Sequence, residues 1–489
     1  MSTKRRSASF VITLVLLAAL AAWGAIAYAF QLSEGDGVTG LAGIGQGGAV
    51  WGLYVVLDGC FLGTGVALMA IACLARFVRG RALEPMARVA MPCAIACFLG
   101  AALAVSADQG RPALALVDLS LYARAQSPMF TTFTTVAGVC LLGSLVHCVL
   151  ARRPDLAEYA KSPSFWRLAQ RALAAGYRGT PTQRYRRQQA GFWMSLALLL
   201  ALLAPAVALA LLFTVRPARS LAPTVLEAAA FLALSLGAGL GLLLLAASLV
   251  ERLAAAPVGL PPQAFARLGR WLMATAALSV LLVVAAELAS MASGEAAVRA
   301  YARGVLRDYG VMFWATLVAL WLAGAVLWWD SRRRRSRRAV LLLASGLAGL
   351  ACLLHHDWSL IGWQTHGLAL PYQAGSYAPT WVEGSVAMGL FATCLLLLLP
   401  AVRLIPFAPA AVQEGRTQKP RDLGRKLLTG LWLAVGLAAS GAGLAGSARV
   451  GTEPFLDPPL PGSPLIFVAG LVMMATAGAL YEILPERKG

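Results

Sequence analysis

Charge is scarce in this chain of 489 residues: Asp, Glu, Lys and Arg supply 13% of it, against 59% hydrophobic residues. A water-soluble globular chain is about 25% charged and about 45–50% apolar, so a fold solvated mainly by water is excluded. Histidine is scarcer still, with four residues. A bis-histidine b haem needs His pairs on facing helices, yet His147 stands far along the chain from His355, His356 and His366, which share one short stretch. No haem is therefore expected in this chain. The eight cysteines (Cys60, Cys73, Cys93, Cys97, Cys140, Cys148, Cys352 and Cys394) contain no CxxC pair and all fall in apolar segments. Zinc and iron–sulfur sites need clustered thiolates, so these read as ordinary buried membrane cysteines and no metal site is expected. No GxxxxGK[ST], HExxH or GxSxG pattern stands in a context that would support its chemistry.

What is present is a succession of apolar runs of about 20 residues, each long enough to cross a hydrocarbon core of about 30 Å. Twelve spans are expected, at 9–31, 51–77, 88–107, 130–151, 191–215, 223–250, 270–293, 309–329, 338–354, 381–402, 427–446 and 464–484. The fold class is thus all-α, a polytopic integral membrane protein. Of the 41 Lys and Arg residues, 33 fall on one set of alternating segments and 8 on the other, which places both termini in the cytoplasm. This distribution also disposes of nucleic acid as a partner, since the net charge of +19 is scattered over short loops. The run RRRRSRR at 332–338 follows the Trp-Trp-Asp end of a span and reads as a stop signal. The first apolar run exceeds the 7–15 residues typical of a signal-peptide core and is read as an uncleaved first helix. Only 152–190, with nine basic residues, forms a long cytoplasmic segment. No aqueous domain able to hold a cofactor is expected on either face, so a redox cofactor outside the membrane must belong to another subunit.

Ionisable side chains within a bilayer are costly and mark function by default. Asp58, Asp108, Glu227, Glu287, His355, His356 and Glu383 all map to the outer half or outer rim of this topology, with Asp58 about 10 Å deep by helix rise. Only His147 and Glu251 map to the cytoplasmic side. Glu227, Glu383 and Asp108 also read as rim residues solvated by the outer loops, whereas Asp58 and Glu287 have apolar flanks of more than a turn. A lipid-soluble molecule undergoing proton-coupled chemistry needs such groups near its headgroup. A short internal repeat relates Tyr122-Ala-Arg124 and Met129-Phe130 to Tyr301-Ala-Arg303 and Met312-Phe313, and Leu57-Asp58 to Leu226-Glu227. A shift of four spans would give two four-helix bundles, spans 2–5 and 6–9, with peripheral helices around them.

The segments WGLYVVLDGCFLGTG at 51–65, DQGRP at 108–112 and SPM at 127–129, in that order, resemble the NrfD/polysulfide-reductase membrane-subunit family. SYAPTWVEGSVAMGLFA at 376–392 resembles its longer branch, which includes the HybB-type hydrogenase subunits, DsrP and the membrane subunits of alternative complex III. The likeness covers about residues 10–405. It departs from the family pattern at Gln109, where an aliphatic residue is usual, and in lacking the Trp that often follows GRP. The resemblance implies a quinone- or quinol-reactive subunit of a respiratory oxidoreductase. Menaquinone or ubiquinone would bind near the outer face, beneath an extracytoplasmic, ferredoxin-like iron–sulfur subunit, with a multihaem cytochrome c or a catalytic redox subunit as a further partner. It implies the bacterial inner membrane as location and leaves proton translocation open. Asp58 and Glu287 are the expected proton-handling pair. Asp58, Asp108, Arg111, Tyr122, His355 and His356 are expected around the quinone, with Glu227 and Glu383 at the rim. The units expected are a peripheral helix and outer loop at 1–50, a first bundle at 51–215, a second at 216–354, an outer loop and tenth span at 355–406, and a basic loop with two extra helices at 407–489. The alternative is a twelve-helix secondary transporter. Its 6+6 arrangement would put the long basic loop between spans 6 and 7 rather than 4 and 5.

Overall fold

The computed structural model describes residues 3–41, 48–77, 83–114, 117, 136–161, 166–214, 221–253, 260–332, 338–366, 375–404, 422–447 and 462–484. Among them are fourteen α-helices and no strand. A chain in lipid satisfies its backbone polar groups within each helix, so the apolar runs become helices. Several extend past their runs, and the one expected at 338–354 continues to Thr365, so that residues 355–365, expected in an outer loop, are helical. The helices are α1 Thr3–Glu34, α2 Leu53–Leu74, α3 Glu84–Asp108, α4 Leu142–Tyr159, α5 Arg167–Ala174, α6 Pro181–Thr214 and α7 Leu221–Leu253. They continue as α8 Pro262–Met291, α9 Ala296–Asp308, α10 Gly310–Arg332, α11 Arg338–Thr365, α12 Trp381–Leu404, α13 Leu423–Ser447 and α14 Ser463–Ile483. Eleven, all but α4, α5 and α9, are long and apolar enough to cross a membrane. The expected span at 130–151 is represented by a π-helical turn, Val136–Leu141, running into α4, and its start lies outside the described residues.

α2, α3, α4 and α6 pack side to side in a ring, and α7, α8, α10 and α11 form another. The rings meet where α2 packs on α7 and α11 and where α6 packs on α7. α2 is therefore enclosed by protein, with 89% of its apolar window buried, whereas the windows of α1 and α13 are only 17% buried within the chain. α1 pairs with α12 through a crossing so close that a Cβ on Gly389 would lie 2.6 Å from the Gly24 Cα. The Trp23 indole N–H donates to Ser385 Oγ at 3.0 Å across the same contact.

α13 and α14 form a hairpin whose backbones touch at Gly436 and Gly470, and α14 rests on α4, α6 and the π-turn. Two buried ion pairs fasten this hairpin at the end of the molecule that carries α5. Arg153 on α4 reaches Glu482 at 2.7 Å and Arg186 on α6 reaches Asp422 at 2.6 Å. Arg153 also donates to the Ala174 and Ala175 carbonyls, closing α5 against α4. The opposite end carries α9, an amphipathic helix that buries Val298, Tyr301, Ala302 and Val305 and exposes Arg303 and Arg307. That spacing of 3, 4 and 7 residues lays an apolar stripe on the bundle.

Candidate functional site

Four side chains of α11, Cys352, His355, His356 and Ser359, recur at spacings of 3, 4 and 7 and so share one helix face. All four are buried. That face looks into the junction of the two rings, where α7 contributes Glu227 and, one turn on, Phe231, α6 contributes Phe213 and Thr214, and α2 contributes Gly59 and Cys60. Glu227 and His355 are 1% and 2% exposed, so their contact is made without water's screening. His355 Nε2 lies 3.3 Å from Glu227 Oε1, and the Ser359 hydroxyl donates to the same oxygen at 2.5 Å. His355 Nδ1 and His356 Nε2 have no hydrogen-bond partner among the described residues. His356 is steered by its other nitrogen, with Nδ1 2.7 Å from the Cys352 carbonyl oxygen, and its ring lies 4.7 Å from Phe231. Phe231 in turn stacks on Phe213 at 5.7 Å and 13°. Between these groups is a cavity of about 10 Å³ lined by Phe213, Thr214, Phe231, His355, His356, Ser359 and Leu360. It is large enough for about one water molecule.

A second polar cluster lies at the helix ends beyond the first. Tyr54 on α2 donates to Gln31 Oε1 at 2.7 Å, and the Gln31 amide donates to Asp36 at 3.2 Å and to the Ala107 carbonyl at 3.4 Å. Gly110, at φ 58°, lets the turn after α3 approach the Asp36 carboxylate. Glu383 is fully buried and receives the Tyr377 hydroxyl at 2.6 Å, the Gly40 N–H at 2.7 Å and the Thr380 N–H at 2.9 Å. With Thr380 Oγ1 facing the Glu383 N–H at 3.5 Å, this is a capping box at the start of α12. Burial, and then the Glu383 carboxylate, hold the Tyr377 phenol above the ordinary tyrosine range.

The residues singled out in the sequence thus divide. Glu227, His355 and His356 come together at the ring junction, with Glu227 at the centre of the contact rather than at a rim. Asp58 is 1% exposed on α2 beside Gly59 and Cys60, one turn from Tyr54, and its Oδ1 has no partner among the described residues. Asp108 belongs to the end cluster, its buried Oδ1 without a partner among the described residues, and Glu383 is a fold clip. Glu287 is buried on α8, which packs on α7, α9 and α10, touches α11, and does not pack on α2 or α6. Arg111 is exposed in the turn after α3, and Tyr122 lies outside the described residues. On the other side, His147 Nε2 meets Ser195 Oγ at 3.0 Å and Glu251 pairs with Arg338 at 2.6 Å. The sequence reads Cys60 and Cys352 as ordinary buried membrane cysteines and does not single out Ser359, Phe213, Phe231, Gln31 or Tyr54. The helical spacing of Cys352 and Ser359 about the His pair was the one signal that pointed to any of them.

Comparison with known proteins bears on this arrangement. A model of the family described as "Polysulphide reductase, NrfD" matches residues 44–365, which include every residue of the ring junction. A protein of Halobacterium salinarum named as a membrane subunit of dimethyl sulfoxide reductase is similar to this chain, 28% identical over 424 residues that cover 82% of this chain and 91% of the relative.

Proposed function

Because the chain belongs to the NrfD polysulphide reductase family, we propose that it is the quinone- or quinol-reactive membrane subunit of a multisubunit respiratory oxidoreductase. The observation that carries this reading is the buried Glu227–His355–Ser359 contact, open on its imidazole side, at the ring junction. A quinone accepts or gives two electrons and two protons; when bound, it supplies the redox chemistry itself. The residues present suit such a headgroup. His355 Nδ1 and His356 Nε2 are unpartnered among the described residues and are available to carbonyl or hydroxyl oxygens. Phe213 and Phe231 offer ring faces. In the closed arrangement the cavity holds about one water, so a ring enters only when lining side chains such as Phe213 swing aside.

In this reading His355 binds the headgroup through Nδ1 while Glu227 holds its other nitrogen, so a proton taken or given at Nδ1 is balanced at the carboxylate. Ser359 fixes the Glu227 oxygen that faces the imidazole. Asp58 on α2 and Asp108 at the end of α3 are assigned to proton exchange with the aqueous face. Electrons would pass to or from an iron–sulfur subunit docked on the face that carries α9. That face is taken as extracytoplasmic, with both termini in the cytoplasm of a bacterial inner membrane. The name of the Halobacterium relative, a reductase membrane subunit, agrees with partners of this kind. The grouping of the described helices into two rings of four, rather than two halves of six, supports this reading over the transporter alternative.

Glu227→Gln tests the proposal, because it keeps the hydrogen-bonding shape and removes the titrating group. Quinol-dependent turnover of the purified complex should fall about 100-fold or more, the range of general acid–base contributions. Co-purifying subunits should stay at wild-type stoichiometry. Turnover near wild type in an intact complex would refute the assignment of Glu227.

A further inference from the structure

We propose that Cys60 of α2 with Cys352 and His356 of α11 forms a binding site for a soft closed-shell metal ion, Zn(II) or Cu(I), between the two rings. One ligand atom from each of the three residues lies within 4.8 Å of the other two, and Cys352 and His356 are buried while Cys60 is half-buried. Two of the ligands stand one helical turn apart, with Cys352 Sγ 3.7 Å from His356 Nδ1. Ligands around zinc, at about 2.3 Å for sulfur and about 2.0 Å for nitrogen, are separated by about 3.5–3.9 Å. The set is thus nearly at coordination spacing before any ion enters. Its orientation is fixed from outside. Phe231 lies against the His356 ring, and on α2 a Cβ at Gly59 would come within 3.2 Å of His356 Cδ2, so glycine there lets the imidazole lie close beside Cys60.

The donor chemistry selects the class of ion. Thiolate and imidazole are ligands for zinc and cuprous ion, and they disfavour magnesium and calcium, which take oxygen. Charge in a buried site points the same way. Zn(II) on two thiolates and a neutral imidazole makes a neutral assembly and releases two protons, one from each thiol. Cu(I) on one thiolate, one thiol and imidazole is also neutral and releases one proton. Coordination through Nδ1 replaces the contact to the Cys352 carbonyl and leaves the ring proton on Nε2 of an imidazole that lines the water-sized cavity. A hydrogen bond from the second ring nitrogen is the usual support of a metal-bound histidine. Three protein ligands leave zinc a fourth position for water, whereas cuprous ion is content with three. The site also joins the first ring to the second, tying α2 to α11 beside the Glu227–His355 contact.

The test uses the full-length chain, purified in mild detergent with the subunits that remain bound. The protein is stripped with chelator under reducing, anaerobic conditions, loaded separately with zinc chloride and with a Cu(I)–acetonitrile complex, desalted and analysed by elemental mass spectrometry. About one ion per chain is expected in the wild type and in the Cys97→Ala control, and about a tenth or less in Cys60→Ala and Cys352→Ala. X-ray absorption at the edge of the bound metal should report two sulfur ligands and one nitrogen in the wild type, and one sulfur fewer in any residual metal of Cys60→Ser. The half-buried Cys60 keeps the test open if Cys352→Ala fails to fold. Uptake unaffected by Cys60→Ala, wild-type uptake below about a tenth of an ion, or a Cys60–Cys352 disulfide that persists after reduction would each overturn the proposal. Metal content is read without electron transfer, so its failure is distinguishable from failure of the quinone assignment.

Discussion

Two buried glutamates show how the same side chain serves opposite ends. Glu383 is met by a hydroxyl and two backbone N–H groups within 3.0 Å, so its charge is spent on holding the α12 start against the segments around Gly40 and Tyr377. Glu227 faces a histidine whose second nitrogen is unpartnered among the described residues, the arrangement proposed above to exchange a proton. Tyr377→Phe should therefore harm stability rather than turnover. It removes the donor to Glu383 and the acceptor for the Leu53 N–H. The expected cost is about 1–3 kcal/mol, seen as a lower melting temperature in detergent with turnover per folded complex unchanged. The pH response has a definite sign. The folded state holds the Tyr377 proton more tightly than the unfolded chain. The stabilisation is complete below the ordinary tyrosine value of about 10 and is lost as pH rises beyond it. Melting curves taken above that pH should fall less steeply in Tyr377→Phe than in the wild type.

At the scale of elements, helix pairs are set by close backbone contact and by ion pairs at the helix ends. Gly389→Leu places a branched side chain where a Cβ alone would meet the Gly24 Cα at 2.6 Å, so α1 should separate from α12. The expected readout is faster proteolysis of the N-terminal helix together with a lower melting temperature. Glu482→Ala strands a buried Arg153 and should cost about 3–5 kcal/mol, whereas the double variant Arg153→Met with Glu482→Leu should recover most of that loss. Denaturation of both variants in detergent compares a missing half-pair with a missing pair, and the loss that the double variant retains includes the Arg153 hydrogen bonds to the Ala174 and Ala175 carbonyls. The helices themselves were legible in the sequence because each satisfies its own backbone, so length and hydropathy mark it without knowledge of its neighbours. Which helices touch is a different matter. Glu227, His355 and His356 stood out because a charge in lipid is anomalous wherever it lies. Cys60, Phe213 and Phe231 did not, since such residues are ordinary in a membrane helix and acquire meaning only when α2, α6, α7 and α11 meet. Arg111 shows the converse: a motif drew attention to a side chain that the turn after α3 leaves exposed.

For the molecule as a whole, the sidedness of the membrane decides what the ring junction can react with. Glu227 lies about 1.7 turns from the start of α7 and His355 about 2.8 turns from the finish of α11, so their contact sits toward the end at which α2 and α7 begin and α6 and α11 finish. The buried arginine pairs Arg153–Glu482 and Arg186–Asp422 lie at the other end, with α5. By the topology expected from the sequence, 33 of the 41 basic residues belong to the segments on that side, and this is the ground for proposing that this end faces the cytoplasm. A fluorescent-protein reporter at the C-terminus should then fluoresce and alkaline phosphatase at the same position should be inactive. Phosphatase inserted between α11 and α12 should be active. The reverse pattern would put the buried Glu–His pair beside the cytoplasm. Protons exchanged there would then come from the cytoplasm, and an iron–sulfur partner on that face would have to be cytoplasmic. The fusions therefore test the direction of proton exchange as well as topology, without needing the electron donor to be known.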